Sequence, residues 1–141
     1  DSDMKVRRSV FDRTGRPIDP REPFTQNDLV VVRLTVEGRF DRAIENVVIS
    51  DLVPAGFEIE NPRTESIPGT EWIDDQSHPV HTDVRDDRIN LFVTVSGTKR
   101  HYYYVARAVS RGTFVWAPVG ADAMYDGSYH SYHGGGMVRV R

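Results

Sequence analysis

Five histidines are the side chains of this chain best suited to metal chemistry, and four of them form two close pairs, His130 with His133 and His78 with His81. Asp83 stands beside the second pair. Zinc needs three or four ligands converging on one point, with spacing set by a turn or a helix face. The run Tyr129-His130-Ser131-Tyr132-His133 before Gly134 meets that need only with a ligand from elsewhere, so no metal and no cofactor is expected. The acidic doublets Asp74-Asp75 and Asp86-Asp87 raise glycosidase or calcium chemistry. Neighbouring side chains on an extended strand point to opposite faces, so neither doublet can act on one bond as two catalytic carboxyls must. No run of alternating oxygen ligands around a glycine forms a calcium loop. There is no cysteine and no G-x-S-x-G elbow, and no Ser, His and Asp are tied to recognisable strand ends. The chain is read as non-enzymatic.

Binding chemistry is better represented. Met124, Tyr125, Tyr129 and Tyr132 follow a glycine-flanked segment and lie outside any long alternating run. A methionine and several tyrosines on a loop make an adaptable contact surface of the kind partner interfaces favour. The alternative is that Met124 and Tyr125 simply end a strand and pack inward. Spacing alone leaves both open.

The elements that must carry these residues are strands. In the segment Asp28 to Val36, Val30, Val32, Leu34 and Val36 share one face while Arg33 and Thr35 take the other. Arg88 to Val95 repeats the pattern with Ile89, Leu91, Val93 and Val95. Asn46 to Val53 and Arg100 to Val109 are further β-rich runs, and shorter ones lie at Lys5 to Phe11, Gly112 to Trp116 and Gly136 to Val140. Turn chemistry separates them at Arg13-Thr14-Gly15-Arg16-Pro17, Pro54-Ala55-Gly56, Pro68-Gly69, Ser96-Gly97-Thr98 and the triple glycine. No window carries a helical stripe; at most Gly120 to Met124 forms a single turn. The stretch Asn61 to Asp86 predicts a long loop or irregular edge with Trp72 tucked against a sheet rim. In Tyr102-Tyr103-Tyr104 the middle ring faces away from its neighbours, and at least one ring is expected buried with its hydroxyl satisfied at a sheet corner. Phe114 and Trp116 share a face and are expected to seal the same core. Seven to nine short strands with regular turns predict an all-β, fibronectin-III-like antiparallel β-sandwich.

Length and charge agree with that assignment. A chain of 141 residues with 38% hydrophobic side chains suits a single domain, 1–141, with one core. A net charge of −3 gives no field for phosphate backbones, so nucleic acid is not an expected partner. Arg7-Arg8 and Arg139 to Arg141 are read as solvated strand ends. The chain begins at Asp1 and is taken as an excised domain or processed fragment.

The segment Arg107-Ala108-Val109-Ser110-Arg111-Gly112-Thr113-Phe114-Val115-Trp116-Ala117-Pro118 resembles the last domain of the bacterial alpha-2-macroglobulins. So do Ala121 to Asp126 and Gly134 to Val140, together with Arg8 to Asp12, Gly15 to Ile18, Asp28 to Val36, Val48 to Pro62, Asp86 to Arg88 and Tyr102 to Val109. The resemblance implies a C-terminal macroglobulin-like domain of a larger periplasmic protease inhibitor anchored to the inner membrane. A protease cuts a bait segment in such proteins, the assembly rearranges, and a reactive thioester captures the attacker. The last domain packs on the thioester-type domain and shields it from water through a Met-Tyr pair, matched here by Met124 and Tyr125, with Tyr129 and Tyr132 in the same loop. Its expected partners are the neighbouring thioester-type and macroglobulin domains, proteases through the full-length protein, and envelope proteins. Asp126-Gly127-Ser128-Tyr129-His130 departs from the family's Arg-Pro continuation, which places the chain with members that lack the thioester and act as scaffolds. Two readings of other classes compete. One is a carbohydrate-binding or adhesin module stacking sugars on Trp72, Tyr129 and Tyr132; the other is a metal-dependent hydrolase built on His130 and His133.

Overall fold

The computed structural model describes residues 3–39, 43–61 and 69–141, so Pro62 and the turn proline Pro68 lie outside the described residues, as do Asp1 and most of the stretch before Gly69. Among the described residues there are eleven strands, more than the seven to nine expected: β1 (Met4–Phe11), β2 (Leu29–Gly38), β3 (Ile44–Leu52), β4 (Phe57–Asn61), β5 (His81–Val84), β6 (Arg88–Val95), β7 (Arg100–Ala108), β8 (Gly112–Trp116), β9 (Val119–Ala123), β10 (His130–His133) and β11 (Gly136–Val140). One sheet runs β1-β2-β7-β4, a second runs β10-β9-β3-β6-β5, and β11 with β8 forms a two-stranded ribbon. All ladders are antiparallel.

Period-two alternation places the core between the two large sheets. Val30, Val32, Leu34 and Val36 of β2 face Ile89, Leu91, Val93 and Val95 of β6 across one continuous cluster. Trp116 is buried in that cluster and Phe114 packs against it from a half-exposed position. A smaller cluster of Phe11, Val31, Tyr103 and Val105 covers the outer face of the first sheet, roofed by Trp72 and Ile73. Trp72 is the predicted rim anchor. Its ring packs 5.5 Å from Phe11 and 6.3 Å from Tyr103, and its indole N–H donates to the Arg13 carbonyl at 2.8 Å. Gly15, at φ 93°, passes so close beneath the ring that a Cβ there would stand 2.8 Å from it.

Two expectations need correcting. Gly120 to Met124 is not a helical turn: Val119–Ala123 is strand β9, paired with both β3 and β10. Its short side chains fit a strand packed closely against a neighbour, and Val119, Ala121 and Ala123 all point inward. The long loop also contains order, since His81–Val84 pairs with β6 and Gln76 bridges to His101.

Candidate docking surface

The hairpin between β9 and β10 carries all four residues singled out for contact. Alternation ends at Ala123, and Met124 and Tyr125 turn outward, 51% and 83% exposed. The inward-packing alternative for this pair is therefore not what the fold adopts. Tyr129 sits differently, half-buried and packed against the main core. Tyr132 is 58% exposed, but its ring lies over Gly120, where a Cβ would meet it at 2.9 Å, and its hydroxyl donates to Asp122 at 3.1 Å. That bond pushes the Tyr132 hydroxyl pKa up, because the carboxylate resists a second negative charge beside it. The hairpin thus presents Met124 and Tyr125 outward, with Tyr132 laid along its own flank and Tyr129 as a root.

Local hydrogen bonds hold the tip in shape. Asp126 accepts from the Ser128 amide at 3.0 Å and from the Ser128 hydroxyl at 2.5 Å, an Asx-type turn that keeps its carboxyl below the ordinary value. The Tyr129 amide donates to the Asp126 carbonyl at 3.2 Å, and the Ala123 amide to the Tyr129 carbonyl at 3.1 Å. Met124 is fixed from below, its amide donating to the Asn46 carbonyl at 2.9 Å. Asn46 has φ 58° and forms a bulge in β3 between Ile44 and Val47. Asparagine tolerates that left-handed backbone better than most residues, and its presence inside a β-rich run was the available signal for the bulge.

His133 serves structure here. Among the described residues no group of three or more His, Asp or Glu side chains is arranged to hold a metal. His133 accepts the Arg8 amide on Nδ1 at 3.0 Å, while the His130 ring lies 6.1 Å from that of Tyr132. Burial and the positive charges of Arg7 and Arg8 push the His133 pKa down. Trp72 and Tyr129 are not brought together as a sugar platform, because Trp72 packs tilted against Phe11 and edge-on to Tyr103 while Tyr129 roots in the core.

A buried ion pair lies where the sequence predicts a solvated strand end: Arg8 is 6% exposed and pairs with fully buried Asp51 at 2.6 Å. Its guanidinium also donates to the Ala117 carbonyl at 2.9 Å and stacks 4.4 Å over the Trp116 ring. Tyr104, fully buried, donates its hydroxyl to the second Asp51 oxygen. The satisfied tyrosine therefore ties one sheet to the other instead of finishing a corner. Burial pushes the Asp51 carboxyl up, and Arg8 and Tyr104 pull it back; burial and Asp51 together push the Tyr104 hydroxyl well up.

The described residues thus form an all-β domain, two antiparallel sheets packed face to face with a two-stranded ribbon beside them. The chain belongs to the bacterial alpha-2-macroglobulin MG10 domain family, whose model matches residues 4–127. It is 33% identical over 105 residues to an alpha-2-macroglobulin of Rickettsia conorii, a match covering 70% of this chain and 5% of that protein. It is 29% identical over 139 residues to one of Pasteurella multocida, covering 98% of the chain and 7% of that protein. Among solved structures, Salmonella alpha-2-macroglobulin reacted with methylamine superposes with a TM-score of 0.84 at 27% identity, covering 98% of this chain and 9% of that one. Native Escherichia coli alpha-2-macroglobulin from domain MG7 to the C-terminus gives a TM-score of 0.86 at 23% identity, covering 99% and 23%. The chain thus spans a small fraction of the proteins it matches.

Proposed function

We propose that this chain is the non-enzymatic C-terminal domain of a periplasmic alpha-2-macroglobulin-type protease inhibitor, and that it docks on the neighbouring thioester-type domain through Met124 and Tyr125. The observation that carries the reading is the outward turn of these two side chains at a hydrogen-bonded hairpin tip, while the rings of Tyr102, Tyr103, Tyr104 and Trp116 are buried. A thioester hydrolyses when wet. A sulfur-and-phenol cap on a separate domain excludes water while the assembly is closed and is withdrawn when the domains move. The C-terminal position, the periplasmic setting and the protease target come from the resemblance to whole alpha-2-macroglobulins.

Met124→Ala and Tyr125→Ala in the full-length parent test this. Each is expected to weaken docking on the thioester-type domain by about tenfold and to shorten thioester lifetime, with the melting temperature of the isolated chain unmoved because both side chains are exposed. Unchanged affinity together with unchanged lifetime removes the assignment. In a parent without a thioester the same variants report on affinity alone, which separates a scaffold from a trap.

A further inference from the structure

The edge of β1 is closed by unrelated partners along most of its length. The Val6 amide donates to Ser131 Oγ at 3.0 Å, the Val6 carbonyl accepts Arg7 Nη1 at 2.6 Å, and the Arg8 amide donates to His133 Nδ1 at 3.0 Å. Further on, the Val10 carbonyl accepts the Ile18 amide at 2.8 Å. Between these closures, the Arg8 carbonyl and the Val10 amide have no hydrogen-bond partner among the described residues. A carbonyl and an amide flanking one residue are the pair of groups that an added strand takes up opposite that residue, here Ser9. The gap opens into a groove of about 680 Å³ between β1 and the β8–β11 ribbon.

The two walls of the groove differ in chemistry. On the core side lie Val10, Trp116, Val138 and Met137, the last 59% exposed. On the outer side Ser9 and Arg33 line the groove and also a second depression, whose other walls include Lys5, Arg7, Lys99 and His101 with Glu37 as its acidic member. None of the described residues lining the larger groove is acidic. Arg8 is committed to Asp51 and Arg21 to Asp19. Arg33 has no acidic partner among the described residues: it lies 4.8 Å over the Phe11 ring, and its Nε is buried without a hydrogen bond.

We propose that this groove binds an extended peptide segment of alternating acidic and apolar residues, which adds as a strand to the edge of β1 opposite Ser9. Side chains of an added strand alternate between faces, so an acidic residue opposite Ser9 meets Arg33 while its two neighbours turn inward onto Val10, Trp116 and Met137. The main-chain bonds give affinity, and the basic outer wall gives the sign of the partner. The groove shares no residue with the Met124–Tyr125 tip, so either assignment can fail without the other.

The test is an amide-resolved NMR titration of the 141-residue chain with the peptide Ac-Val-Glu-Val-Glu-Val-NH2 and its lysine-for-glutamate analogue. The glutamate peptide is expected to shift the Val10 amide and slow its hydrogen exchange, and to bind at least about tenfold more tightly than the lysine peptide. Met137→Asp, at an exposed position, weakens the glutamate peptide; Arg33→Glu shifts the preference toward lysine. Equal binding of the two peptides overturns the proposal, as does binding that leaves the Val10 amide unmoved. Should Arg33→Glu fail to fold, the wild-type peptide pair and Met137→Asp still decide it.

Discussion

Arg8 and Asp51 are buried together, and the cost of taking two charges out of water makes their removal asymmetric. Arg8→Met leaves Asp51 charged and without its cation in a dry interior and is expected to cost about 3–5 kcal/mol, read from urea unfolding. Tyr104→Phe removes one donor to the same carboxylate and costs about 1–3 kcal/mol. The double variant Arg8→Met with Asp51→Leu is expected to be more stable than Arg8→Met alone, because the uncompensated charge goes with its partner. If the double variant is the weaker of the two, Asp51 stabilises the fold through partners other than Arg8, such as Tyr104. Both residues were placeable from the sequence. Asp51 continues the inward set Val47 and Ile49, and Arg8 lies between inward-facing Val6 and Val10. Reading arginine as a surface residue by type, against its own strand's alternation, hid the pair. For Met124 and Tyr125 spacing left inward packing open and the family resemblance alone singled them out, because the β9 alternation that ends just before them is evident only in the fold.

At the level of elements, β1 and β10 meet along a seam made from side chains, not backbone bonds, with Ser131 and His133 each accepting a β1 amide. Because His133 Nδ1 is an acceptor, the folded state holds this imidazole neutral, and the charges facing it, Arg7 and Arg8, disfavour protonation further. Its folded pKa is below the ordinary 6.5, so above that pH it is neutral in both states and its contribution is complete. As pH falls below 6.5 the unfolded chain takes up a proton that the folded chain refuses, and stability declines until the folded value is passed. Denaturation midpoints from about pH 7.5 to about pH 5 are expected to fall less steeply in His133→Asn, which keeps an acceptor near the Nδ1 position without titrating in this range. Equal slopes would show that the seam does not sense protons. Strands with β-branched alternation, such as β2 and β6, were legible with nearly their observed bounds. The seam-forming β10 and its neighbour β9 were not, because Val-Gly-Ala-Asp-Ala and His-Ser-Tyr-His carry little β-propensity and owe their conformation to pairing, β9 with β3 and β10 with β9.

For the molecule as a whole, the two-layer class followed from strand count and turn spacing, but the order of strands did not. β7 is inserted between β2 and β4, and β3 between β9 and β6; these long-range pairings leave no local trace in sequence. Both large sheets contribute to one continuous core, with the Tyr104–Asp51 bond crossing between them. The isolated chain is therefore expected to melt in one cooperative transition, with calorimetric and van't Hoff enthalpies equal within error; two resolved transitions would mean that the sheets fold as separate units. The hairpin tip and the interior ion pair are also mechanically in series. Asn46 holds Met124 at one end of β3, and Asp51 lies five positions along the same strand, about 17 Å away at strand rise. Under the proposed docking, a pull on Tyr125 would run along a single strand to the buried pairing of Arg8 with Asp51.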